Sequence, residues 1–230
     1  MLVVATASFA ASSQSPEGTW GTQINGNDRG VCYLTFATNS TETGYGISLD
    51  SNGAFVLGGT WSIDKKGKLT GGFTKTNDAS SAGTYFIGKV SKNNLTASVF
   101  SSEGRYNFKG VSTDGATVAD LTGTWKATVN EGSRKFFMNF SAALSTNMPG
   151  WYDISGTGNS GLGPFTMTGA IVITPDNRCA GYTTYDYGST TRQDTLVGHL
   201  TKNGKKLVLR GHTEKDGPAK LQAEPVAAPN

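Results

Sequence analysis

The chain repeats itself, and a repeat constrains the fold more tightly than any other feature here, because whatever one copy builds must be built twice. Gly18-Thr19-Trp20 returns as Gly123-Thr124-Trp125, about 105 residues later, each opening a run that alternates apolar and polar residues. Gly59-Thr60-Trp61-Ser62-Ile63, followed by Lys68-Leu69-Thr70-Gly71, returns as Gly169-Ala170-Ile171-Val172-Ile173, followed by Arg178-Cys179-Ala180-Gly181. A third echo aligns Phe86-Ile87-Gly88-Lys89-Val90 with Leu196-Val197-Gly198-His199-Leu200. Three matches in one order predict two tandem modules.

Thirty-one Gly, few charges, and Val, Ile, Tyr, Phe and Trp in short runs describe strands and tight turns. Turn signals at a spacing of about 8–12 residues predict an all-β chain of two tandem meander modules, each of seven or eight strands, closed as a barrel or folded as a sandwich. The modules are expected at 17–113 and 120–214, with a polar, Gly-containing link within 112–120. Residues 1–16 read as a leader, and 215–230, rich in Ala, Pro and Lys, as a disordered tail. One helical turn is expected, over 140–146 before Pro149.

One hairpin can be put in register. With Asn203-Gly204 as a two-residue type I′ turn, Leu200 pairs with Leu207 and Gly198 with Leu209, so Leu196, Leu200, Leu207 and Leu209 form a core face. His199, Arg210 and His212 then lie on the other face, the two histidines roughly 13 Å apart at the rise of a strand. Asn52-Gly53 is a second hairpin signal.

The net charge of +3 sits on a mixed surface, with Lys65, Lys66 and Lys68 interrupted by Asp64 and Gly67, and this argues against a nucleic-acid track. No run approaches the ~20 apolar residues of a membrane-spanning helix. Met1 to Ala11 is apolar and ends in Ser8-Phe9-Ala10, with small residues where signal peptidase requires them, so export to the cell envelope or medium is expected. Cys32 and Cys179 fall at non-equivalent places in the two modules, and either a disulfide or two buried thiols is compatible with that. The Asn-x-Ser/Thr triplets at Asn39, Asn94 and Asn139 are expected by chance in this composition.

No metal-ligand spacing, phosphate-cradling glycine loop or nucleophile elbow is present, so the sequence designates no catalytic residue, no metal ligand and no cofactor. Asp50, Asp153 and Asp186 are the only acids from which a carboxylate pair suggests itself. The richest aromatic and polar run is Tyr182, Tyr185, Asp186 and Tyr187. With Trp151 and Tyr152 it supplies the candidate ligand-binding set: Trp151, Tyr152, Tyr182 and Tyr185 as walls, Asp186 orienting a polar group.

Gly-Thr-Trp on a first strand, with a basic residue on the last, resembles the calycin barrels, the lipocalin, fatty-acid-binding and avidin group. The resemblance implies a tryptophan closing one barrel end under a cation, here Trp20 with Lys109 and Trp125 with Arg210, a contact worth ~0.5–2 kcal/mol. The function expected is a secreted or envelope non-enzymatic binding protein for a small apolar or aromatic molecule. The alternatives are an interaction protein without a pocket, meeting a protein partner through sheet edges, and a cofactor-free isomerase or glycosidase.

Overall fold

The computed structural model describes residues 15–49, 53–75, 83–102, 104–146, 148–201, 203–213 and 217–226. Residues 1–14 of the leader, Asp50, Asn52 and positions 215, 216 and 227–230 of the expected tail lie outside them. The first module contains β1 (Gly18–Gly26), β2 (Gly30–Phe36), β3 (Thr41–Ser48), β4 (Gly53–Ile63), β5 (Lys68–Lys75), β6 (Thr84–Ser91), β7 (Asn94–Ser101) and β8 (Gly104–Ser112). The second contains β9 (Gly123–Glu131), β10 (Arg134–Leu144), β11 (Trp151–Ser160), β12 (Gly163–Ile173), β13 (Arg178–Asp186), β14 (Thr191–Leu200), β15 (Leu207–Thr213) and β16 (Gly217–Pro225). Each set is an up-and-down antiparallel sheet closed on itself, β1 pairing with β8 and β9 with β16. Of the two architectures open in the sequence, the molecule is therefore a pair of eight-stranded barrels. Closure pairs every strand on both sides, which removes the free edges through which a protein partner would add a strand.

The repeat holds strand for strand. Across the first module one row of paired residues runs Gly18, Phe36, Glu42, Gly59, Phe73, Thr84. The matching row in the second runs Gly123, Ala142, Ile154, Gly169, Thr183, Asp194. Both opening tryptophans point inward and donate from Nε1 to a carbonyl four residues back, Trp20 to Pro16 at 2.7 Å and Trp125 to Leu121 at 2.8 Å. Alternating side chains fill each interior: Trp20, Phe36, Phe55, Phe73, Phe86 and Phe108 in the first, Trp125, Phe140, Ile154, Met167, Leu196 and Leu209 in the second. The third strands bend tightly over inward glycines, where a Cβ on Gly46 would lie 2.4 Å from the Val31 oxygen and one on Gly156 2.1 Å from the Asn139 oxygen.

Four expectations are corrected. The described part of the tail is the closing strand: in β16 Ala219, Leu221 and Ala223 alternate into the core, small residues that do not read as a hydrophobic stripe. Pro218 and Pro225 sit at its ends, where a missing N–H disrupts the ladder least. The expected helical turn over 140–146 belongs largely to β10, because Phe136, Met138, Phe140 and Ala142 bury at period two. The β14–β15 ladder has the expected register, Leu200 with Leu207 and His199 with Val208, but its loop is longer: Thr201 N donates to Lys206 O, and only Gly204 of the Asn-Gly pair takes positive φ. Finally, among the described residues neither expected cation caps its tryptophan. Lys109 is exposed and pairs with Gln23, three residues beyond Trp20, and Arg210 lies on β15, separated from β9 by the closing strand β16.

The barrels pack side by side. The outer face of β2 and β3 in the first lies on the outer face of β12 and β13 in the second, burying Val31, Tyr33, Ile47, Trp151, Ala170, Val172 and Ala180 as a third core. Tyr33 Oη donates to Ile173 O at 2.6 Å and Tyr45 Oη to Pro149 O at 2.8 Å, while the Tyr45 and Trp151 rings meet edge to face.

Candidate functional site

The structure distributes the five sequence-designated residues over three places. Trp151 and Tyr182 face outward and belong to the packing between the barrels. Tyr152 and Tyr185 face inward into the second core. Asp186 is exposed at the end of β13, where its carboxylate accepts the Gly188 N–H at 2.7 Å and so holds a turn. Register aligns Trp151 with Val172 and Val172 with Ala180, which puts Tyr185 five residues, or roughly 16 Å, further along the neighbouring strands. They do not line one pocket. Asp153, considered for a carboxylate pair, is exposed and accepts the Trp151 Nε1–H at 3.0 Å.

The barrel interiors hold the most perturbed groups. Glu42 enters the first barrel from β3 at 2% exposure, its Oε1 without a hydrogen bond, beside a cavity of about 10 Å³ lined otherwise by apolar residues such as Leu34, Phe36, Leu69 and Phe86. Burial pushes its carboxyl up to about 8. Such a group holds a proton at neutral pH, but the space beside it barely admits one water. Toward the other end of the same interior, Lys75 Nζ lies 3.8 Å from Asp28 Oδ2 and 5.1 Å over the Phe55 ring. In the second barrel the Tyr185 hydroxyl and Thr183 Oγ1 are buried without a hydrogen bond of good geometry, near Asp194 and Glu131. Cys32 and Cys179 are free thiols, one in each core, and burial raises both. Among the described residues, no three His, Cys, Asp or Glu side chains come together in a way that would hold a metal ion.

Among the described residues, two recesses of similar size lie on the outside of the first barrel, about 460 Å³ over Gly72 and about 470 Å³ beside Lys89 and Lys109. On the outward face of β4, β5 and β6, Gly72 carries no side chain, and its paired neighbours are Thr60 on one side and Tyr85 on the other. A slot of about 460 Å³ results, with the backbone of Gly71 and Gly72 as floor. Tyr85, half exposed, forms one wall and Thr60 the other, and the row Ser62, Thr70 and Ile87 stands across one end. The Ser62 and Thr70 hydroxyls are 3.0 Å apart. Tyr85 leans away from the gap and stacks on Phe100 at 4.9 Å and 15°, and Arg105 covers the far side of Phe100 at 5.4 Å. That ladder fixes the tyrosine ring with one face toward the slot. Among the described residues, no charged side chain lines it. Sequence reading missed it because Gly72 and Tyr85 meet only through strand pairing, and neither belongs to a motif.

No protein-family model matches the chain, and no curated protein matches its sequence.

Proposed function

We propose that this chain is a non-enzymatic binding protein whose filled barrels act as a rigid scaffold and whose ligand contact lies on an outer barrel face. One observation carries the reading: the cavity beside Glu42 inside the first barrel holds about 10 Å³, whereas the slot over Gly72 offers about 460 Å³ and an oriented aromatic ring. The closed, eight-stranded, up-and-down order with an inward tryptophan on the first strand supports the calycin likeness at the level of architecture, and the apolar Met1 to Ala11 run supports export.

Native mass spectrometry before and after denaturation tests where a ligand sits. The expected result is a folded mass equal to that of the bare chain. A small molecule that survives gentle purification and is released only on unfolding would place the ligand inside a barrel and overturn the reading.

A further inference from the structure

The same outer face exists twice, and the two copies have opposite fates. In the first barrel it presents Thr60, Ser62, Thr70, Gly72, Tyr85 and Ile87; strand register places Ala170, Val172, Ala180, Tyr182, Thr195 and Val197 at the matching positions of the second. The second set is apolar apart from Thr195, and it is covered, most of it packed into the third core against Val31, Tyr33 and Ile47. The first set is open. An outer face that only met water would have no need of a half-exposed tyrosine held by a stack, an exposed isoleucine beside it and a glycine that clears the space between the tyrosine and Thr60.

We infer that this slot binds a neutral carbohydrate, taking one sugar ring of an oligosaccharide flat against Tyr85. The inference rests on the outer-face reading above and names its ligand class. A pyranose has one face of C–H bonds with slight positive charge and a rim of hydroxyls. The face of an aromatic ring is electron-rich and apolar, and so complements the C–H face. Thr60, Ser62 and Thr70 supply hydroxyls that both donate and accept, as a sugar rim requires. A slot without charge gives no preference to acidic or basic ligands. The slot lies open at the barrel surface, which suits one ring of a longer sugar chain rather than an enclosed monosaccharide. An apolar or aromatic ligand would use none of the donor and acceptor capacity these hydroxyls have beyond the Ser62–Thr70 bond, which disfavours that occupant.

The full-length chain is titrated with cellohexaose, chitohexaose, xylohexaose, mannohexaose and maltohexaose, binding being read by calorimetry and by shifts of backbone amide resonances. At least one should bind with a Kd of ~0.1–1 mM, with shifts centred on β4 to β6. Tyr85→Ala should weaken it ~10-fold or more, and so should Gly72→Val, which fills the slot at a backbone conformation open to any residue, its Cβ meeting only the Thr84 oxygen at 3.2 Å. Phe137→Ser, on an exposed face of the second barrel, should bind as the parent does, and unchanged circular dichroism certifies each variant. Binding that survives both slot variants would overturn the site while leaving the outer-face reading intact. Absence of binding by all five sugars would overturn the carbohydrate assignment. Sedimentation of the same samples adds a third arm: self-association lost in both Tyr85→Ala and Phe137→Ser would make the slot a contact between copies of this chain and overturn the inference.

Discussion

The two barrels place opposite chemistry at one interior position. On the third strand of the first barrel the inward residue before the two bending glycines is Glu42, followed by Gly44 and Gly46; in the second it is Ile154, followed by Gly156 and Gly158. The register around the two is the same, with a glycine, Gly59 or Gly169, paired on one side, while on the other Phe36 stands beside Glu42 where Ala142 stands beside Ile154. Ile154 shows what the fold requires there, an apolar side chain of similar size. Glu42 meets that shape only as a neutral acid, because its Oε1 finds no donor inside the barrel. The closed framework thus tolerates a buried carboxyl that does nothing for its stability, and the first barrel carries the cost.

Making the barrels alike at this position should give the largest effect. The Glu42 carboxyl stands at about 8 in the folded chain against 4.5 for a glutamate in water, so between those values the folded state holds the proton more tightly than the unfolded state. Stability should therefore fall as pH rises through that window, and level off above it, by an amount on the order of 3–5 kcal/mol at ~1.4 kcal/mol per pH unit. Glu42→Ile should remove this slope and make the first barrel more stable than the parent at about pH 9, with little change at about pH 4. Urea unfolding at both values, followed through tryptophan fluorescence, measures it. An unchanged slope would mean that Glu42 is not the group that titrates.

The outer faces sharpen the comparison differently. What the second barrel covers with the first, the first leaves open, so each barrel has its own core but shares a third with its neighbour. A fragment ending near Thr113 should still give dispersed β-type NMR spectra, while exposing Val31, Tyr33, Tyr45 and Ile47. Within the full chain, Tyr33→Phe deletes the 2.6 Å hydrogen bond to the Ile173 carbonyl and leaves a buried acceptor short of a donor, a loss of about 1–3 kcal/mol. The signature is loss of coincidence between unfolding probes that report on each barrel. A loss of stability with coincident transitions would show that the third core is dispensable for coupling them.

How far the sequence carried the fold depended on whether the signal was local. Tandem Gly-Thr-Trp, the echoes at β4 to β6 and β12 to β14, and the leucine face of β14 and β15 are all written in short stretches, and all were legible. The closing strand was not, because Ala219, Leu221 and Ala223 bury well only against a wall of neighbours that no single segment reveals. The five designated residues failed as a set for a reason available in the sequence. Trp151 and Tyr152 are adjacent, and Tyr182 and Tyr185 are three apart, so on strands each pair must point to opposite faces. The Gly72 slot required non-local pairing, thirteen positions from Gly72 to Tyr85 and twelve from Thr60 to Gly72, together with knowledge of which outer face the second barrel covers.

The smallest expected effect concerns Lys75 and Tyr185, which also occupy one position in the two barrels, paired with Leu57 and Met167 respectively. Lys75 lies beside a buried acid, Asp28, so its charge is accounted for. Tyr185 is fully buried, and its hydroxyl makes no hydrogen bond of good geometry. Its desolvation is already part of the folded state's cost. Tyr185→Phe keeps the ring against Phe136 and Phe165, which it meets edge to face, and removes only the oxygen. Stability should then stay within about 0.5 kcal/mol of the parent or rise by about 1 kcal/mol, since deleting an unpaired buried polar atom offsets the small void it leaves. Thermal unfolding of both chains in parallel resolves that difference. A destabilisation above ~1.5 kcal/mol would show that the hydroxyl is hydrogen-bonded after all, through water to Thr183, Asp194 or Glu131, and this end of the second barrel would then be a polar site matching the Lys75 and Asp28 end of the first.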